Sequence, residues 1–482
     1  MKIVIDMQGA QTESRVRGIG RYTISFVKAV IRNAKEHNVV LVFNDMIDDS
    51  VAPLKEIFAD YLPEESLRVW SAPAPVSLVN TDNAQRLKAA EILREAFIRS
   101  LQPDVVHITS LFEGYADNAV TTIGAFDKTT PVTVTLYDLI PMIYADTYLG
   151  GDARFKAYYM SKVAFLKQSA VNFAISDFTK QEAASLLDVD PARFINKSSA
   201  VEQDFAAIRP ESARIQSTLE SYGIKQPFLL YTGGADERKN LPRLVDAYCK
   251  LAAEVRQRVQ LVFAGKMSVD FMRYLREKKL PAGQVVCLGY VSDEDLVGLY
   301  SSCQCLVFPS YHEGFGLPAL EAMMCGAAVI GADAASLPEV IGSEEALFDP
   351  FDVDAIAACL SRVVEDPHFL NRLKENGVQR TQAFSWDETA KCALTTWEAR
   401  PWTTQQITAP PLSERSTVET SESAESQHEP PVLESADDMV IEVIEQLSAH
   451  RCLPDADEQL RDLARALDLN HPLGEVSAAG NV

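Results

Sequence analysis

Short apolar runs alternate with amphipathic stretches from residue 1 to about 400. Apolar runs bounded by polar or glycine-bearing turns predict strands at 2–7, 38–43, 67–71, 104–109, 131–136 and 171–176. A second series is predicted at 227–233, 258–265, 284–288, 304–309 and 327–331. Helical spacing separates them, for example over 240–255, 293–302 and 317–325. Nearly continuous apolar strands joined by helices predict parallel sheets covered on both faces. The alternation occurs twice. The expected fold class is therefore α/β, with two doubly wound Rossmann-like domains, 1–205 and 206–384, facing across a cleft. The break is expected near 205–222, where Ile208-Arg-Pro-Glu211 leads into a polar helix. Ser385-Trp-Asp-Glu388 has capping-box spacing and opens one more helix to about Ala399.

Composition adds boundaries. Of 482 residues, 47% are hydrophobic and 23% charged, enough for two cores in a globular chain. No apolar run is long enough to cross a bilayer. Met1-Lys-Ile-Val-Ile-Asp6 reads as a first strand and not as a signal peptide. Eight cysteines without a C-x-x-C pair predict reduced thiols and a cytoplasmic protein. The net charge is −23, and residues 401–482, with 16 Asp/Glu against 4 Lys/Arg, hold about half of it. Residues 401–436 are predicted to be a disordered acidic linker, and 437–482 a short helical tail able to bind a protein partner. No basic stripe with interleaved aromatics occurs, which excludes nucleic acid as a partner.

One stretch carries most of the chemistry: Tyr311-His-Glu-Gly-Phe-Gly-Leu-Pro-Ala-Leu-Glu-Ala-Met324. It follows a predicted buried strand, where open α/β sheets bind ligands. Pro318 suits a first helical turn, so Gly314, Phe315, Gly316 and Leu317 can present free backbone N–H groups at a helix start, an anion site. Glu313 lies before that helix and Glu321 one turn into it. A diphosphate flanked by two sugar rings suits the arrangement. Arg238 and Lys239 follow a Gly-Gly turn at the end of another strand and offer a planar fork and a compact charge to the same diphosphate.

Other motifs are weaker. Asp352-Val-Asp354 has the form of a metal-binding D-x-D, but its context reads as a helix N-cap and a first-turn acid, so no metal is expected. Gly18-Ile-Gly20 lacks the third glycine of a dinucleotide fingerprint and reads as a flexible loop before a helix from Arg21. Asp138 ends a strand and lines the cleft. His107 also ends a strand, as a satisfied histidine or a site residue. Arg21, Lys28, Arg32 and Lys35, and separately Arg154, Lys156, Lys162 and Lys167, fall near helical spacing and could rest on an anionic membrane.

These motifs together resemble the family-4 retaining glycosyltransferases of GT-B fold over about residues 1–400. Glu313 and Glu321 resemble the family's E-x7-E signature. Tyr231 to Asn240 resembles its donor-phosphate loop, and Leu261 to Lys266 with Leu288 to Ser292 resembles the strands around the nucleotide base. Phe384-Ser-Trp-Asp387 resembles the start of the last helix, which in the family returns to the first domain. Asp6 to Gly9, Gly18 to Tyr22, and Tyr137-Asp-Leu-Ile-Pro141 resemble bacterial O-antigen and polysaccharide mannosyl- or rhamnosyltransferases. The family commonly has His-Asp where this chain has Tyr137-Asp138, so only Asp138 carries over.

The resemblance implies transfer of a hexosyl group from a nucleotide-diphosphate sugar to a glycan or lipid-linked glycan, with mannose from GDP-mannose as the leading pair and rhamnose or glucose as alternatives. Glu313 and Asp138 would be catalytic. Arg238, Lys239, Gly20 and Gly314 to Leu317 would hold the diphosphate. Glu321 would hold the ribose, and Tyr290 and Val291 the base. Arg21 and His107 would lie on the acceptor side. No cofactor or metal is implied. A nucleotide-sugar epimerase, a phosphorylase and a silent sugar-nucleotide-binding scaffold are the rival classes.

Overall fold

The computed structural model describes residues 1–16, 18–202, 212–225 and 227–399. The acidic linker and helical tail expected after residue 400 lie outside them.

Two wholly parallel sheets carry the chain. The first contains β1 (Lys2–Asp6), β2 (Asn38–Asn44), β3 (Leu67–Trp70), β4 (Val105–Ile108), β5 (Val132–Leu136), β6 (Val171–Ala174) and β7 (Phe194–Asn196), in the order β3-β2-β1-β4-β5-β6-β7. The second contains β8 (Phe228–Thr232), β9 (Gln260–Ala264), β10 (Val285–Gly289), β11 (Cys305–Phe308), β12 (Ala328–Ala332) and β13 (Leu347–Phe348), in the order β10-β9-β8-β11-β12-β13. Central strands such as β8, β9 and β11 are buried along their whole length, as strands covered by helices on both faces must be. Each sheet reverses its strand order once, between β1 and β4 and between β8 and β11. Loops leaving the carboxyl ends of those strands border a crevice where ligands bind.

Both short edge strands, β7 and β13, were absent from the sequence expectation. The stretch 240–255 is also not one helix: Leu251 turns to ψ 145° and separates Leu241–Lys250 from Ala253–Arg256. The helix after β1 begins at Gly18 and runs to Asn33. Gly18 and Gly20 therefore lie in its first turn, which corrects the flexible loop. A Cβ on Gly20 would overlap the backbone of Arg15, so the short turn Glu13–Val16 can pack there only against glycine.

The helix Trp386–Ala399 leaves the second sheet and packs on the Gly18–Asn33 helix of the first. Arg32 and Asn33 donate to Asp387 at 2.9 and 2.8 Å, Trp386 meets Tyr22 edge to face, and Trp397 donates to Thr133 Oγ1 at 3.2 Å. Glu388 bonds Lys391 at 2.7 Å, one turn ahead of it. No described helix is long and apolar enough to cross a membrane.

Candidate functional site

The strand-order reversal of the second sheet sets the site. After β8 the chain makes a short turn, Glu237–Lys239, capped by the Asp236 side chain, which accepts from Arg238 N at 3.3 Å. Asn240 follows in a left-handed conformation, and its amide donates to Pro309 O and Pro350 O at 3.1 and 2.7 Å. That buried amide ties the β8 loop to the β11 loop. Arg238 and Lys239 consequently converge on Glu313: Arg238 Nη1 donates to Oε2 at 2.7 Å, and Lys239 Nζ to Oε1 at 2.6 Å. Arg238 also donates to His312 O at 2.7 Å. Burial alone would push the Glu313 pKa up. Lys239 and Arg238 overcome it and hold the carboxyl at about 2.

Next comes the helix Leu317–Met324, with Gly316 as N-cap at φ 113° and ψ 45°. The Ser336 hydroxyl lies 2.9 Å from Glu313 O and 2.7 Å from Phe315 O and braces the loop. Pro318 carries no N–H and Ala319 N donates to Gly316 O at 3.0 Å, so the N–H groups from Gly314 to Leu317 are the ones at the positive end of the helix dipole. The Gly18–Asn33 helix starts opposite; a Cβ on Gly18 would lie 3.7 Å from Leu317 Cδ1. Two helix starts and two cations thus surround one crevice, the electrostatic complement of a diphosphate. Glu321, one turn along, accepts from Tyr300 Oη at 3.0 Å and has Arg21 Nη1 at 3.7 Å. Burial raises its pKa, and those two neighbours partly offset the rise.

The first domain closes the crevice. Asp138, just past β5, accepts from Ile140 N at 3.0 Å, and burial raises its pKa. Gly314 stands directly opposite: a Cβ there would overlap Tyr137 O and come within 3.2 Å of Asp138 Cβ. Thr179 Oγ1 donates to Gly314 O at 3.0 Å, and Glu339 accepts from Asp177 N and Phe178 N at 3.0 and 3.2 Å. Tyr148 donates to Asp236. His312 projects into the first domain, with Tyr144 Oη 3.3 Å from Nδ1 and its ring between Tyr144 and Phe178. Glu182 Oε1 lies 3.3 Å from Nε2, within ion-pair range but outside hydrogen-bond geometry.

Glu313, Asp138, Arg238, Lys239, Gly314 to Leu317 and Glu321 are therefore brought together. Tyr290 is 87% exposed on the turn after β10, with Val291 half-buried beside it.

Three expectations need correction. His107 is fully buried, with Thr133 Oγ1 and Thr135 Oγ1 each 3.0 Å from its ring nitrogens, and burial pulls its pKa far down. It packs against Phe26 and Trp397 and belongs to the core beneath the last helix, not to an acceptor site. Arg21 reaches the second domain, pairing with Asp293 at 3.4 Å and approaching Glu321, so it faces the Glu321 end of the crevice. Within the two basic stretches the correction is Lys162 alone, since Arg154, Lys156 and Lys167 beside it are exposed. Arg32 is bonded to Asp387 and Lys28 sits over the Tyr61 ring, while Lys162 is buried and donates to Thr121 O and Oγ1.

Asp352 is a helix cap, accepting from Asp354 N and Ala355 N at 2.8 and 3.2 Å, and Asp354 pairs with Lys250. Sequence reasoning missed His312, Tyr300, Ser336 and Glu182. Only His312 had a signal, its adjacency to Glu313; the others meet the site from 21 or more positions away.

Residues 216–380 match the family model described as glycosyl transferases group 1. Over 399 residues the chain is 39% identical to the serotype-specific mannosyltransferase WbdA of Escherichia coli, an alignment covering 82% of this chain and 47% of that protein. Over 225 residues it is 35% identical to O-antigen chain mannosyltransferase B of Escherichia coli, covering 46% of this chain and 58% of the relative. The chain thus spans about half the length of these curated relatives. Among solved structures, the Anabaena protein Alr3699/HepE in complex with UDP-glucose superposes with a TM-score of 0.59 at 14% identity, over 83% of this chain and all of that one. The shared architecture is GT-B.

Proposed function

Because residues 216–380 belong to the group 1 glycosyl transferases, we propose that this chain is a glycosyltransferase that moves a mannosyl residue from a nucleotide sugar, GDP-mannose, to a growing O-antigen-type glycan. The observation that carries the reading is the Glu313 carboxylate held between Arg238 and Lys239 beside two helix starts. The mannosyltransferase relatives support the choice of sugar.

Each residue has a role in this scheme. Arg238, Lys239 and the N–H groups from Gly314 to Leu317 hold the diphosphate and stabilise the charge that grows on its terminal oxygen as the sugar leaves. Gly20 lets the first helix start close to that diphosphate, and Arg21 approaches the nucleotide from the first domain. Glu321 accepts from the ribose hydroxyls, and Tyr290 and Val291 border the base. Glu313 and Asp138 flank the transferred sugar. The C1–O bond to phosphate breaks, the acceptor oxygen bonds to C1 on the same face, and the acceptor proton passes to the departing phosphate oxygen, so the anomeric configuration is retained. Two cations and two helix dipoles supply the positive charge that a metal would otherwise bring. Contacts across the crevice exclude water and limit hydrolysis of the donor. No helix among the described residues is long and apolar enough to cross a membrane; in this scheme a lipid-linked acceptor is met at the bilayer surface.

The test is incubation of purified chain with GDP-mannose and a mannosyl glycoside, with and without EDTA, and proton NMR of the product linkage. An α-mannosyl product formed in EDTA is expected. No transfer from GDP, UDP, ADP or dTDP sugars would overturn the reading.

A further inference from the structure

Beside Glu313, the cleft opens on a row of aromatic side chains that the transfer scheme does not use. Tyr311 stands two residues before Glu313. Its ring centroid lies 6.0 Å from that of Tyr144, of the first domain, and 5.4 Å from that of Phe351, with the latter planes tilted by 33°. The Arg243 guanidinium lies 5.3 Å over the Phe351 ring. Phe351 is nevertheless 59% exposed, and Tyr144 and Tyr311 are half-buried.

The row is built and not loosely hung. Tyr311 N donates to Arg238 O at 3.0 Å, Phe351 N to Asp349 Oδ1 at 2.8 Å, and the Asn240 amide fixes the loops on either side. Polar groups edge it: Tyr144 Oη beside His312, Tyr148 Oη on Asp236, and Arg243 Nη1 on Asn240 Oδ1 at 2.9 Å.

A pyranose ring has an apolar C–H face and a rim of hydroxyls. An exposed Phe351 ring beside two half-buried tyrosines, edged by phenol, carboxylate and guanidinium groups, fits that amphiphile. A protein partner or a bilayer would require a far larger apolar patch than one phenylalanine between a tyrosine and an arginine. We propose that Tyr144, Tyr311 and Phe351 form an acceptor subsite, binding a pyranose of the glycan chain behind the sugar whose hydroxyl is glycosylated. The inference rests on the glycosyltransferase reading. Because both domains contribute rings, the subsite is complete only when they meet.

The experiment compares wild type with Phe351→Ala, Phe351→Leu and Phe351→Trp, using GDP-mannose with a mannosyl monosaccharide glycoside or a mannosyl tetrasaccharide glycoside. Donor hydrolysis without acceptor is the control. Losing an aromatic face should raise the tetrasaccharide KM about fivefold in the Ala and Leu variants. Phe351→Trp should stay near wild type, and monosaccharide KM, donor KM and hydrolysis should not move. An unchanged tetrasaccharide KM, an equal rise for both acceptors, or a shift in donor KM would overturn the subsite while leaving the glycosyltransferase reading intact. Failure of wild type to transfer to either acceptor would sink both.

Discussion

Replacing Glu313 by Gln tests the heart of the site. The substitution keeps the shape and removes the charge that Arg238 and Lys239 face at 2.7 and 2.6 Å. The carboxyl pKa falls from 4.5 to about 2 in the folded protein. At about 1.4 kcal/mol per unit, that gap corresponds to about 3 kcal/mol of stability at neutral pH. Because the folded-state value is the depressed one, the contribution is complete above pH 4.5 and disappears as the pH falls through 2. Glu313→Gln should therefore unfold about 3 kcal/mol more easily at pH 7, and the difference should narrow to about 2 kcal/mol by pH 3.5. Urea unfolding followed by circular dichroism, with hydrogen exchange over 309–324 to localise the loss, measures both. GDP should stabilise the variant at least as much as wild type, because its diphosphate takes over the two released cations. Equal stability at pH 7, or a gap that does not change down to pH 3.5, would refute the clamp.

Four further outcomes are expected. Arg238→Met or Lys239→Met should lower kcat about a hundredfold at saturating donor, measured by product formation, since each removes preorganised positive charge. Initial rates should survive EDTA; loss restored by manganese would contradict the scheme. Gly314→Ala places a methyl against Tyr137 O, so the domains should part: small-angle scattering with GDP should show a larger radius of gyration and donor KM should rise, whereas no change in either removes the close approach. Arg94→Met strands the Asp6 carboxylate, which is fully buried against the guanidinium and Gln8, and should cost about 3–5 kcal/mol in thermal unfolding.

The buried parallel strands were legible because both faces are covered, leaving runs such as Cys305–Phe308 without a polar break. β7 and β13 were not, since three and two residues carry no periodicity. The crevice-facing loops could be read from Gly-Gly and E-x-G-x-G turns at strand ends. What escaped was pairing at a distance. The sequence put Arg238, Lys239 and the Glu313 loop around one diphosphate, but nothing local says that the carboxylate will pair with those cations directly, or that Arg21 will cross to the opposite domain. His107 and Lys162 misled for a related reason. Spacing shows which side of an element a residue occupies, but not whether another helix will be laid over it, and here Trp397 and the Thr121 segment cover them.

The return of the Trp386–Ala399 helix means that the last described helix belongs to the first lobe, although the whole second sheet precedes it in the chain. A probe attached to that helix would travel with the Asp138 wall and not with the Glu313 wall that precedes it in the chain.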